Sequence, residues 1–242
     1  VLISTGLIVL PLLPERSIQG NTIETSDAGD TFGKLLPAGF LVTLVFFSMA
    51  LGGAWAFMER AGVHAGISGL EVGKAFALGS LVGGLGALLA IVINKRFGRA
   101  LPLLASLMGM IGACLVLTVA KGWGSFLVTV CLFNFFWNLT LPYLLGAIAE
   151  ADRSGKFMVV IPAAQGIGFA AGPVLTGWFI LENSYAITGW ISLVLFMVCL
   201  LLLLPLLLAL HSLSNQGSLP CKLAKIDSEK AKSAMADKVK NA

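Results

Sequence analysis

The sequence predicts an all-α membrane protein, a six-helix transmembrane bundle preceded by a partial helix. Of its 242 residues, 57% are hydrophobic and only 12% are charged, about half the charged share of a soluble domain. A soluble fold of this size would expose large apolar patches to water, which excludes an ordinary soluble enzyme, and a disordered chain is not this apolar. The 28 glycines agree with a membrane protein, because glycine is more frequent in membrane helices than in soluble ones.

Six apolar runs are long enough to cross a bilayer, since a spanning helix needs about 20 residues. They occupy residues 35–58, 72–93, 101–120, 124–149, 157–181 and 186–210. None of them alternates polar and apolar residues as a strand of a membrane barrel does. The helix is the other structure that satisfies its own backbone in lipid, so each run is predicted to be a transmembrane helix.

The segments outside the bundle, which spans residues 35–210, are predicted as follows. Residues 1–13 are apolar but too short to span, and are interpreted as the end of a transmembrane helix; a short N-terminal anchor is the alternative. Residues 14–34 are polar and form the best candidate for a domain boundary, a cytoplasmic central loop. Residues 211–242 carry six lysines and three acidic residues and form a predicted cytoplasmic tail, either solvated or weakly amphipathic.

Lysine and arginine are distributed unequally between the two sides, which sets the predicted orientation. With the tail in the cytoplasm, seven basic residues outside the tail fall inside and three fall outside. The seven are Arg16, Lys34, Lys95, Arg96, Arg99, Arg153 and Lys156, and the three are Arg60, Lys74 and Lys121. The chain is therefore predicted to be a multi-pass protein of the plasma (inner) membrane with a cytoplasmic C-terminus and membrane lipids as its surroundings.

Several kinds of site are not predicted. Cys114, Cys131, Cys199 and Cys221 are scattered and form no Cys-x-x-Cys pair, so neither a metal site nor a disulfide framework is expected. No basic stripe with interleaved aromatic residues points to nucleic acid. No phosphate-binding loop points to a nucleotide, and no cofactor is expected.

The connector after the second run, residues 94–99, reads NKRFGR. It resembles the short cytoplasmic loop of the major facilitator superfamily, whose pattern is G-x-x-x-D-R-x-G-R. Arg96, Gly98 and Arg99 match the end of this pattern, whereas Lys95 replaces its acid. Gly98 permits a tight turn, and the arginines suit the cytoplasmic headgroups.

A second likeness to the superfamily lies in the run 157–181. Gly168 and Gly172 are four residues apart and let helix backbones approach closely, and Pro173 adds a bend. With Gly177, this segment is similar to the Gly-Pro helix motif of the same superfamily.

Together these features resemble the C-terminal half of a twelve-helix major facilitator transporter, with residues 1–13 as the end of its sixth helix and the six runs as helices seven to twelve. The resemblance implies a secondary active transporter (permease) that moves a small solute by alternating access, with the N-terminal half of the transporter as its partner. No Asp or Glu lies at the midplane of these runs. If transport is coupled to a proton, the titrating acid is therefore expected in the other half.

Polar side chains at membrane depth are costly and mark functional or tightly packed positions. The run 124–149 carries Asn134, Trp137 and Asn138 near its midpoint, with the two asparagines on one helical face. The superfamily lines its cavity with this helix, so these three are predicted to bind substrate, with Ser48 and Gln165 as partners. Interhelical hydrogen bonding is the alternative.

Four residues near the outer surface form a predicted gate. Trp55 and Glu59 share a helical face, Arg60 follows, and Lys74 is the candidate partner. The alternatives are an interfacial aromatic residue for Trp55 and a solvated helix end for Glu59 and Arg60.

Other functions suit the sequence less well. An intramembrane enzyme needs a nucleophile and a base, or metal ligands, at depth, and both histidines lie outside the apolar core. A retinal protein needs a lysine in its last helix, and the run 186–210 contains none. The remaining alternative is a non-transporting or dimerising half-transporter.

The orientation is open to a labelling test. In a variant without the native cysteines, a cysteine placed beside Arg96 should be shielded from an impermeant thiol reagent in intact cells, because its connector is predicted to be cytoplasmic. A cysteine near Gly62 should be labelled. The reverse pattern would refute the orientation.

Overall fold

The computed structural model of the chain describes residues 27–93, 99–119, 122–152, 154–180 and 185–212. Over these residues it consists of helices joined by turns and irregular segments. The chain divides into two compact units, residues 1–31 and 32–242, and the description below concerns the second. The predicted partial helix at residues 1–13, and most of the predicted connector and tail, lie outside the described residues.

The described residues contain six α-helices, each long and apolar enough to cross a bilayer. They are α1 (Asp27–His64), α2 (Gly69–Ile93), α3 (Ala100–Val119), α4 (Trp123–Ala151), α5 (Lys156–Phe179) and α6 (Ala186–Ser212). The predicted all-α bundle of six membrane-spanning helices is confirmed, and the chain is an integral multi-pass membrane protein.

The helix ends match the predicted runs to within a few residues, except at α1. This helix begins at Asp27, inside the predicted connector 14–34, and continues to His64, six residues beyond the predicted end. Hydropathy locates the part of a helix that lies in lipid. The helix itself continues into water for as long as its backbone hydrogen bonds persist.

One end of the bundle holds the starts of α2 and α4. Ser68 and Glu71 form a capping box at the start of α2: the Ser68 hydroxyl accepts from the Glu71 amide at 3.3 Å, and the Glu71 carboxylate accepts from the Ser68 amide at 3.1 Å. Trp123, at the start of α4, donates its indole N–H to the Glu71 carbonyl at 3.3 Å. The His64 ring lies 5.5 Å from the Tyr185 ring, and this end is called the His64 end below.

Helices α1 and α5 pack backbone against backbone. A Cβ atom added to Gly172 would collide with the carbonyl oxygen of Met49, and one added to Gly168 would lie 2.5 Å from the carbonyl oxygen of Val45. From the other side, a Cβ on Gly52 would lie 2.7 Å from the carbonyl oxygen of Phe169. Small residues spaced four apart therefore bring these two helices into main-chain contact.

Pro173 leaves one carbonyl of α5 without its usual partner. Proline has no N–H, so the carbonyl of Phe169 has no donor four residues later. This is the carbonyl that faces Gly52. Gly177 lies further along, and a Cβ there would be 3.4 Å from the Phe57 ring, which is ordinary van der Waals contact.

Helices α2 and α4 make the second close contact. The buried face of α2 consists almost entirely of small residues, namely Val72, Ala75, Gly79, Gly83, Gly86 and Ala90. A Cβ on Gly86 would collide with the carbonyl oxygen of Phe135, and one on Gly79 would lie 2.8 Å from a methyl group of Val130. A side chain at either position would push α2 away from α4.

Helices α3 and α6 complete the bundle behind α1 and α4. Gly109 of α3 faces the Phe136 ring of α4, and the Phe47 ring of α1 lies 5.6 Å from the Phe196 ring of α6. The outward row of α6 is apolar throughout, as expected for a surface in lipid. Its members are Trp190, Val194, Met197, Leu201, Leu204 and Leu208.

The close contact of α5 with α1 predicts opposite effects for two alanine substitutions in α5. Gly172→Ala should lower the free energy of unfolding by about 1–3 kcal/mol, because its methyl group meets the α1 main chain. Gly166→Ala is the control, since no atom lies within 4 Å of its Cβ. This control should be neutral, or more stable by up to about 1 kcal/mol because alanine favours the helix. Denaturant unfolding of both variants in detergent measures the difference, and equal stabilities would contradict the contact.

Candidate functional site

Five aromatic rings form a continuous chain across four helices, called the aromatic row here. It consists of Phe126, Phe76, Trp55, Trp137 and Phe169, with successive ring centroids 6.4, 5.2, 5.7 and 6.3 Å apart. The first three contacts are edge-to-face, the arrangement that aromatic quadrupoles favour, and the last is tilted. Trp137 lies fourteen residues from both ends of α4 and therefore at mid-depth. The structure thus joins the predicted site residue Trp137 to the predicted gate residue Trp55.

The two asparagines lie against α2. The Asn134 amide is buried and donates to the Val130 carbonyl at 2.9 Å, and the half-buried Asn138 amide donates to the Asn134 carbonyl at 2.9 Å. A Cβ on Gly83 would be 2.8 Å from the Asn138 amide nitrogen. Both bonds stay within α4, so in the described part neither amide forms the interhelical hydrogen bond considered as the alternative.

Pro142 leaves the main-chain carbonyl of Asn138 without its usual helical hydrogen-bond donor. The carbonyl of Asn138 lacks its donor four residues later, because that position is Pro142. Asn138 therefore offers a main-chain acceptor as well as a side-chain amide near the middle of α4. Neither Pro142 nor the glycines of α2 belonged to the predicted site. The spacing of Gly79, Gly83 and Gly86 in the sequence was the signal for the α2 face.

Ser48 and Gln165 take different positions. Ser48 is fully buried in the contact between α1 and α5, where a Cβ on Gly168 would lie 2.6 Å from its own Cβ, and its hydroxyl has no partner in the described part. Gln165 is half-buried and lies one turn before Phe169, on the same face of α5. Gln165 therefore lies beside the aromatic row, whereas Ser48 lies inside the helix packing.

The charged residues of the predicted gate do not pair with one another in the described part of the chain. Glu59, Arg60 and Lys74 are all exposed near the His64 end, and none of them forms an ion pair in the described part of the chain. The Arg60 guanidinium lies 5.9 Å from the centre of the Phe57 ring, within cation–π range. The gate stays a prediction.

The opposite end of the bundle, called the Arg99 end, holds an ion pair that the sequence analysis did not predict. Arg99 donates through one terminal nitrogen to the Glu150 carboxylate at 2.9 Å and to the Gly146 carbonyl at 2.7 Å. Arg96 and Gly98, the other matched positions of the connector motif, lie outside the described residues. An acid just after the run 124–149 and an arginine just before the run 101–120 were the available signal for this pair.

Asp152 lies between α4 and α5 and caps the start of α5. One carboxylate oxygen accepts from the amides of Phe157 and Met158 at 2.8 and 3.0 Å, and the other accepts from the amide and hydroxyl of Ser154 at 3.0 and 2.9 Å. Burial opposes ionisation, but these hydrogen bonds outweigh it and lower the pKa of Asp152 from its ordinary value of 3.8. The carboxylate also lies at the positive end of the α5 dipole.

The chemistry at mid-depth is neutral. The aromatic row offers ring faces, Asn138 and Gln165 offer amides, and the charged side chains of the described helices lie near helix ends. Within the described residues there is no group of three or more His, Cys, Asp or Glu side chains placed to share a metal ion. Such an arrangement can hold a molecule by stacking and hydrogen bonding.

Comparison with known proteins found no matching family model, no matching curated protein and no matching solved structure.

The Asp152 cap predicts a pH-dependent contribution to stability. Because its pKa is lowered in the folded state, its contribution is complete above the ordinary aspartate pKa and is lost as the pH falls through the folded value. Asp152→Asn removes the charge and should therefore lower the free energy of unfolding by about 1 kcal/mol at neutral pH and by less in acid. Glu59→Gln, at an exposed carboxylate, is the control and should have no such effect. Unfolding measured down to about pH 3 tests this, and a pH-independent difference would contradict it.

Proposed function

We propose that this chain is the membrane domain of a secondary active transporter of the major facilitator type, a permease that moves a small solute by alternating access. The proposal includes a plasma (inner) membrane location and a cytoplasmic C-terminus. Under the charge rule the Arg99 end then faces the cytoplasm and the His64 end faces outward. The N-terminal half of such a transporter would be its structural partner.

The observation that carries the proposal is the contrast between two faces of the bundle. The aromatic row joins α1, α2, α4 and α5, with Trp55 40% exposed and Trp137 half-buried at mid-depth. Neither indole N–H has an acceptor in the described part of the chain. Lipid tails offer no hydrogen bonds, so such a face is better suited to a polar pathway than to lipid.

The outward surface of α6 supports this distinction. Its exposed row carries aliphatic side chains and one tryptophan near a helix end, a composition that suits lipid. Beside the aromatic row, by contrast, lie Asn138 and Gln165. A small solute with a ring or apolar surface and a few hydrogen-bonding groups matches what these side chains offer.

A dimerising half-transporter is the second candidate, and one observation favours it. Only 22% of the most apolar stretch of α2, and of α5, is buried inside the bundle, against 56% in α1. Both weakly buried helices also carry exposed small residues that permit close helix approach: Gly73, Ala77, Ser80 and Gly84 in α2, and Ala163, Gly166 and Ala170 in α5. A second bundle would cover these faces.

Substitution of the aromatic row tests the transport proposal. The chain is reconstituted in liposomes together with the N-terminal half and assayed for counterflow and thermal stabilisation with hexoses, amino acids, aromatic acids and amphipathic amines. Trp137→Ala should weaken binding of the active solute about tenfold, as expected for the loss of one stacking partner. Trp178→Ala is the matched control, because this tryptophan is 82% exposed on α5 and outside the aromatic row. Absence of both stabilisation and counterflow across the panel would count against transport by this chain.

Asn138→Ala separates binding from packing at the same site. If Asn138 contacts the solute, its loss should lower affinity and leave the melting temperature nearly unchanged. If the amide serves the α2 contact, the melting temperature should fall while the affinity of the folded fraction stays the same. The second result would remove Asn138 from the site.

A further inference from the structure

A partly open pocket of ≈ 370 Å³ lies between α2 and α4 near the Arg99 end. Its apolar walls include Ala87 and Ile91 of α2 and Pro142 of α4, and its polar boundary includes Arg99 and Tyr143. The Tyr143 hydroxyl donates to the carbonyl of Ala90 at 3.0 Å and ties the two helices together there. No member of the aromatic row lines this pocket, so it is distinct from the site described above.

Arg99 presents unused donors at the pocket. Its two bonds, to Glu150 and to the Gly146 carbonyl, both come from the same terminal nitrogen. A guanidinium carries five N–H groups, and the other terminal nitrogen and the chain nitrogen have no partner in the described part of the chain. The side chain is 43% exposed. An anion can therefore bind Arg99 while the ion pair with Glu150 stays intact.

The start of α3 adds to the positive potential. Arg99 directly precedes Ala100, the first residue of α3, and the N-terminal end of a helix dipole favours an anion. The second carboxylate of this region, Asp152, is occupied by the amides of α5 and by Ser154. Glu150 is the acid in direct contact with Arg99 and weakens its attraction for an anion.

An apolar track leads away from the pocket along the outside of α2. It consists of Ile91, Leu88, Leu85 and Leu81, which are 67%, 61%, 59% and 72% exposed. The ten residue steps from Ile91 to Leu81 cover about 15 Å of helix, which is about the thickness of one leaflet of the hydrocarbon core. The pocket thus has a cationic side chain, Arg99, at one end and an apolar surface about as long as one leaflet is thick leading away from it.

We propose that this pocket binds an anionic phospholipid, with its phosphate on the free donors of Arg99 and an acyl chain along the track on α2. A guanidinium suits a phosphate because it is planar and presents paired donors. The apolar track selects a lipid over free inorganic phosphate, which has no group to place there. The inference depends on membrane insertion of the chain and is independent of the transport proposal.

Native mass spectrometry of the full chain in detergent, titrated with phosphatidylglycerol or phosphatidylcholine, tests the proposal. Phosphatidylglycerol should bind the wild-type protein more tightly than phosphatidylcholine does. Arg99→Gln should weaken phosphatidylglycerol binding about fivefold, the contribution typical of one basic residue at a lipid surface. Glu150→Gln is the matched control: it breaks the same ion pair but keeps the cation, so binding should be retained or strengthened.

A second variant keeps the test decisive if Arg99→Gln folds poorly. Ala87→Phe fills the pocket and leaves Arg99 and Glu150 in place, and it should also weaken phosphatidylglycerol binding. Millimolar inorganic phosphate should not displace the lipid. Unchanged binding in both Arg99→Gln and Ala87→Phe, equal affinity for the two lipids, or displacement by inorganic phosphate would each overturn the proposal.

Discussion

Main-chain contact at glycine is the constraint on which the rest of this structure depends. Lipid tails are as apolar as leucine, so burial of apolar side chains does not drive helices together inside a bilayer. The bundle relies instead on close packing, with Gly168 and Gly172 against α1 and with Gly83 and Gly86 against α4. The aromatic row is built on the same four helices. Its successive ring centroids lie 5.2 to 6.4 Å apart, and the contact of Phe126 with Phe76 joins the pair α2 and α4 that meets at glycine.

The fold was predictable from the sequence because the thickness of the bilayer sets the length of the apolar run that each spanning helix needs. The ends of α1 were not predictable, because hydropathy locates the boundary of the lipid and α1 continues past that boundary on both sides. The shared face of Asn134 and Asn138 also followed from helical periodicity. Their position against the glycines of α2 did not, because periodicity says which residues share a face and not which helix that face meets.

Ser48 shows the same limit more clearly. Its polarity and depth suggested a substrate contact, yet it is fully buried in the contact with Gly168. A small hydroxyl is compatible with close helix packing as well as with a binding surface, and a single sequence does not distinguish the two. Arg99 is the opposite case. Arg99 stands out in the sequence because it belongs to the connector motif. Its partner Glu150 lies 51 residues away, and the pair depends on the packing of α3 beside α4, which the sequence does not give.

Pro173 has a mechanical consequence for α5. Flexing a helix at an ordinary residue stretches a hydrogen bond between successive turns, but at this step the bond from residue 173 to the Phe169 carbonyl does not exist. The resistance of α5 to bending is therefore reduced at this step, as it is at Pro162 nearer the start of the helix. The same carbonyl rests on Gly52 of α1, so a swing of either half of α5 about this step would slide one main chain over the other. A step at which α5 bends easily is therefore also a point of main-chain contact with α1.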